Sequence, residues 1–232
     1  MGDMIDYQLE AGVATITMDD GKVNALSLAM LTSLNAALDR AEDDGAVVVL
    51  GGRPGVFSAG FDLPTLRAGG PEGVAMLRAG FELAARLLAF PTPVVVACTG
   101  HAVAMGVFLV LSGDYRVGVD GPYKLTANEV AIGLTLPTAA VEICRQRLSP
   151  AHFSRATLLA DTFSPAEAVT AGFLDRVVDA NALHDAARAV AAQLATLDMS
   201  AHHATKLRVR RQTIDAIRAA IDAELPAVAP AP

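Results

Sequence analysis

Two short runs of small residues carry the strongest chemical signal in this 232-residue chain. Gly55-Val56-Phe57-Ser58-Ala59-Gly60-Phe61-Asp62 follows one apolar, strand-like run, and Gly100-His101-Ala102-Val103-Ala104-Met105-Gly106 follows another. Each leads straight into a helical pattern. A backbone that turns this tightly exposes N–H groups at a helix N-terminus, where they bind an oxyanion. Two such turns on neighbouring strands can give one N–H each to a single carbonyl oxygen, although each alone also reads as a plain tight turn. Ser58 and His101, with Asp62 or Asp114, have the residue types of a nucleophilic relay. A nucleophile elbow, however, needs glycine where Val56 stands, and a small turn serine is the simpler reading. His202 and His203 are adjacent on a predicted helix, so they point in different directions and make no metal pair. Lys206, Arg208, Arg210 and Arg211 read as a solvated basic face. Cys98 and Cys144 stand in apolar surroundings and read as buried, reduced thiols.

The elements that must position these residues alternate along the first half of the chain. Ile5, Tyr7 and Leu9, then Val13, Ile16 and Met18, flank Gly12 as a hairpin. Ala46 to Leu50 and Val94 to Cys98 are nearly all apolar, as strands covered on both faces are. Helical spacing runs over Ser27 to Ala41 and Gly73 to Ala89, and Pro91 and Pro93 stop the second helix. The order predicts a layered α/β fold with right-handed crossovers. Asp114 to Val119 and Tyr123 to Leu125 extend the strand pattern. Ser164-Pro165-Ala166-Glu167 then combines an N-cap, a first-turn proline and a capping-box glutamate, with Gly172 as the stop. Helices are expected over Ala182 to Leu197 and Ala201 to Ala223. The division is an α/β core over 1–180, a helical C-terminal region over 181–225 and a disordered tail over 226–232.

Composition narrows the partners. Eighteen Lys and Arg against 25 Asp and Glu give a net charge of -7, so no global positive field draws the chain to nucleic acid or anionic lipid. Hydrophobic side chains make up 53% of the chain, yet charges, Gly and Pro interrupt every run before it reaches about 18 residues, a membrane span. Met1 to Glu10 has no basic n-region, so a cytoplasmic chain without a secretory signal is expected.

Taken together, the motifs resemble those of the enoyl-CoA hydratase/isomerase, or crotonase, superfamily. The resemblance rests on Asn24-Ala25-Leu26, on Phe57 to Asp62, on Gly100-His101-Ala102 through Gly106, and on Asp114-Tyr115-Arg116. It continues through Ser164 to Ala168 and Ala171-Gly172-Phe173-Leu174-Asp175-Arg176, so it covers nearly the whole chain. It implies a spiral of ββα units, a homotrimer or dimer of trimers with 181–225 in the trimer contacts, and acyl-CoA thioesters as substrate. Coenzyme A is then part of the substrate, and neither a separate cofactor nor a metal is implied. Phe61 and Met105 become the oxyanion donors, with Met105 where the family often has glycine. Ala25, Ser58, Ala59, Gly60, Asp62, His101, Gly106 and Phe108 become substrate-binding positions, and Lys206 matches a C-terminal helix lysine near the CoA phosphates.

The acids distinguish the reactions within that resemblance. Enoyl-CoA hydratases use two glutamates to hold and deprotonate a water; the first place is Phe108 here and the second is Glu129. Ala127-Asn128-Glu129-Val130 is similar to the segment of Δ3,Δ2-enoyl-CoA isomerases, which use one glutamate. Glu129 stands among Val130, Ala131, Ile132 and Leu134, where desolvation raises a carboxylate pKa and favours proton shuttling. Its alternative reading is a helix N-terminal residue favoured by the dipole. The leading expectation is therefore a single-glutamate isomerase, with an incomplete hydratase and a non-catalytic acyl-CoA binder as alternatives.

Overall fold

The structure is a computed structural model that describes residues 4–225. The expected hairpin forms from β1 (Ile5–Glu10) and β2 (Val13–Met18), turning at Ala11 and Gly12, both with positive φ. α1 (Leu28–Asp43) starts where the Ser27 side chain accepts a hydrogen bond from the Met30 amide. β3 (Val47–Gly51) and β5 (Val94–Cys98) are buried along their whole length. With β7 (Tyr115–Val119) and β9 (Arg176–Val178) they complete a six-stranded sheet of order β1-β2-β3-β5-β7-β9, parallel from β2 onward.

A second, three-stranded parallel sheet consists of β4 (Gly55–Ser58), β6 (Gly100–Val103) and β8 (Leu125–Thr126). Long strand, short strand and helix therefore repeat: β3 and β4 precede α2 (Leu63–Ala68) and α3 (Gly70–Ala89), and β5 and β6 precede α4 (Met105–Ser112). β7 and β8 precede a 3-10 turn (Val130–Ile132) and α5 (Thr138–Arg145). This is the ββα spiral that the resemblance implies. It corrects one expectation: the small-residue runs do not turn straight into helices but first form β4 and β6, which pair with each other. The strand expected over Tyr123 to Leu125 lies instead at Leu125 and Thr126.

Packing follows from the apolar pattern. All eight residues of α4 are buried, so a helix that is apolar on every side sits at the centre of the main core. α6 (Pro150–Thr157) follows α5, and α7 (Pro165–Ala171) has the predicted capping box and ends at Gly172 with φ +100. α8 (Leu183–Leu194) lays Leu183, Ala187 and Ala191 on the other sheet face, against Val47, Val49, Val95 and Val117. α9 (Met199–Glu224) packs on α3 and α5 through Ile214, Ile217 and Ile221. Burying these three isoleucines contributes roughly 5 to 9 kcal/mol of transfer free energy before chain entropy is counted. The helical segment expected over 181–225 is thus α8 and α9, both seated on the body of their own chain. The tail expected over 226–232 lies outside the described residues. No helix among the described residues is long and apolar enough to cross a membrane.

Candidate active site

The first turn is built by a buried polar net. Ser58 Oγ donates to the Asn24 carbonyl at 2.7 Å and accepts from the Gly60 amide at 3.1 Å. The Ala59 amide donates to Val23 O at 3.0 Å and the Leu26 amide to Gly60 O at 2.8 Å. Asn24, itself at φ +52, donates through Nδ2 to Met18 O and Phe57 O. Ser58 is therefore a scaffold for the turn. The His101 Nδ1 accepts from the Lys124 amide at 3.1 Å and its ring meets Tyr123 edge-on. The serine–histidine relay is overturned by these commitments.

The second turn locks onto the first. Gly60 has φ +91, and a Cβ there would sit 2.9 Å from both Val103 O and the Ala104 Cβ, and 3.3 Å from the Met105 amide nitrogen. A Cβ on Gly106 would come within 2.4 Å of Ser58 O. Only glycine permits this approach from either side. Ala104, at φ +50, is held by its amide donating to Thr126 O at 2.9 Å, and Met105 opens α4 directly after it. The amides of Phe61 and Met105 donate to no acceptor among the described residues. Two adjacent unpaired N–H groups are what an oxyanion site requires. The Met105 side chain is fully buried in the main core, so it does not obstruct the space in front of its amide.

Those turns open onto a cleft of about 520 Å³. Ala59, Phe61, Val103 and Ala104 form one end; Leu63, Leu66 and Arg67 of α2 and Leu77 and Phe81 of α3 form an apolar wall. Asn128, Glu129, Ile132, Leu134, Thr135 and Pro137 form the other. Glu129 is the one carboxylate and Arg67 the one cation among these lining residues. Glu129 is 8% exposed, its Oε2 has no partner, and burial pushes its pKa up to about 7, with its own backbone amide opposing. It stands at the N-terminus of a three-residue 3-10 turn and makes no side-chain cap hydrogen bond there. A groove of similar volume between α1, α3 and α9 is laced by the ion pairs of Arg78 and Arg86. It holds no unpaired buried carboxylate, and the chemistry selects the Glu129 cleft.

The remaining expected positions divide. Ala59 lines the cleft, and Gly60 and Gly106 shape its end. Asp62 caps α2, accepting from the Thr65 amide and hydroxyl. Ala25 donates to Asp20 Oδ2 at 3.0 Å and lies beside Leu26, which bridges to Phe61; neither it nor His101 lines the cleft. Phe108 is 1% exposed and stacks on Phe81, one layer behind the cleft wall. Lys206 departs most from expectation. Its Nζ donates to Asp114 Oδ2 at 2.7 Å and Thr92 O at 3.1 Å, buried beneath α9 and away from the cleft. Asn128, Arg67 and the α2 and α3 wall residues escaped sequence reasoning. Asn128 had an adjacent signal in Glu129, while apolar spacing cannot tell a cleft wall from a core face.

The enoyl-CoA hydratase/isomerase family model matches residues 8–228. The chain belongs to that family. As an enoyl-CoA hydratase/isomerase family enzyme it resembles a Mycobacterium tuberculosis protein of solved structure, called an enoyl-CoA isomerase in one structure and a probable enoyl-CoA hydratase in another. The chains are 48% identical, with TM-scores of 0.92 and 0.93, over 96% of this chain and 97% and 94% of those. It is 31% identical to the mitochondrial enoyl-CoA delta isomerase 1 of Rattus norvegicus, over 91% of this chain and 75% of the relative. A probable enoyl-CoA hydratase of Mycobacterium avium is 32% identical over 79% of this chain and 72% of that protein. Relatives named for both reactions thus surround this family member.

Proposed function

We propose that this enzyme acts on fatty acyl-CoA thioesters and moves a C3 double bond to C2, with Glu129 as its single acid and base. The observation that carries the reading is the buried Glu129 carboxylate, its Oε2 without a partner, lining a cleft whose other end is built by the turns that carry the Phe61 and Met105 amides. The ionised carboxylate takes the proton from C2, and the electron pair moves through the conjugated system onto the thioester oxygen. The Phe61 and Met105 amides hold that oxyanion, each worth roughly 3 to 4 kcal/mol when well placed. Protonated Glu129 then returns the proton at C4, and no water enters the product. A pKa of about 7 suits both transfers, because the group is neither too weak a base nor too weak an acid near neutral pH.

Phe108 supports isomerisation over hydration, since a buried phenyl ring neither orients nor deprotonates water. The similarity to a named probable hydratase favours the second reading, slow hydration with Glu129 alone. One assay following a 3-enoyl-CoA and a 2-enoyl-CoA in parallel tests both. Isomerase turnover is expected to dominate and to fall by about 10² to 10⁴ in Glu129→Gln. Faster hydration than isomerisation would select the hydratase, and tight thioester binding with neither turnover would select a binding protein.

A further inference from the structure

We infer that Arg67 is the residue of this cleft that recognises an anionic oxygen group of the substrate, either a phosphate of CoA or a carboxylate at the far end of the acyl group. This rests on the acyl-thioester reading above. Leu63, Leu66 and Arg67 are spaced i, i+3 and i+4 on α2, which puts them on one face, and all three line the cleft. From Leu63 to Arg67 is about 6 Å along the helix. The guanidinium therefore ends an apolar strip that begins two residues after the Phe61 amide. Arg67 makes no ion pair, side-chain hydrogen bond or cation–π contact with any described residue, and it is exposed at the cleft margin. The cation expected to meet an anionic ligand, Lys206, is buried and engaged, with Arg210, by half-buried Asp114. Within the cleft, Arg67 is left as the positive group that a fork-shaped anion contact can use.

A role as a cation complementing the C-terminal end of α2 would need no ligand, so binding must be measured. Calorimetry on the full chain with three saturated thioesters requires no turnover: hexanoyl-CoA, hexanoyl-pantetheine, and adipoyl-pantetheine with its terminal carboxylate. Arg67→Met keeps the unbranched stem and removes the charge, and Arg67→Lys keeps the charge without the fork. Arg67→Met is expected to weaken one of the anionic ligands about tenfold, with partial recovery in Arg67→Lys and hexanoyl-pantetheine nearly unaffected. A loss confined to hexanoyl-CoA assigns the phosphate, and a loss confined to adipoyl-pantetheine assigns the carboxylate. Equal losses for all three, or none, overturn the inference. Failure of the wild-type chain to bind any of them overturns the acyl-thioester reading itself, so the two failures are distinct.

Discussion

Glu129 is buried with its Oε2 lacking a partner, and that single fact links its chemistry to the stability of the fold. Its pKa is raised from the ordinary carboxylate value to about 7, so the folded protein disfavours the charged form. The proposed isomerisation needs that charged form as base. Isomerase kcat/KM should therefore rise with pH through about 7, and a profile flat from pH 5 to 9 would contradict Glu129 as the base. Stability should run the opposite way: with the folded pKa raised, the favourable contribution is complete at acid pH and is lost as pH rises through about 7. Glu129→Gln should thus melt a few degrees above the wild type at pH 8 and close to it at pH 4, by calorimetry at each pH. Activity lost together with stability gained is the signature of a functional buried charge. Glu129 was legible from its sequence neighbours, whereas the unpaired state of its Oε2 depends on what surrounds it in space.

At the scale of elements, the oxyanion site exists because two turns interlock. Gly60→Ala places a methyl against Val103 O and forces an alanine to φ +91. It should cost about 1 to 3 kcal/mol of stability and at least about tenfold in kcat, read by denaturant melts and steady-state kinetics. Ser58→Ala removes the hydrogen bonds to Asn24 O and from the Gly60 amide. It should cost about 1 to 3 kcal/mol and lower kcat more than it raises KM, because Ser58 positions the turn without serving as nucleophile. Complete loss of turnover in a fully folded Ser58→Ala protein would reopen the nucleophile reading. β4 and β6 were hidden in the sequence. Each is only four residues long, opens on glycine and shows no clear alternation, so pairing across the spiral is what makes them strands.

For the molecule as a whole, the buried Asp114–Lys206–Arg210 cluster ties α9 to the start of β7. Lys206→Met leaves Asp114 with one cation and should destabilise the fold by about 3 kcal/mol in chemical denaturation. A lysine on the CoA phosphates would instead raise KM with the melting temperature unchanged, so the two roles separate in one pair of measurements. The proposed assembly is a homotrimer or dimer of trimers. Light scattering should return three or six times the 24.0 kDa chain mass, and a monomer in dilute solution would refute it.

The amino-acid sequence by itself determined the period of each long element, the capping box at Ser164 and the family motifs, and it singled out Glu129 as the candidate acid, because these are local properties of side chains and backbone. It also placed Phe108 where a second acid would stand. The tertiary structure decided which amides lack acceptors, which apolar face becomes a cleft wall, and that Lys206 lies in a buried ion pair while Arg67 stands free. Those outcomes depend on groups brought together from distant positions, and no local pattern records which partners a side chain will meet.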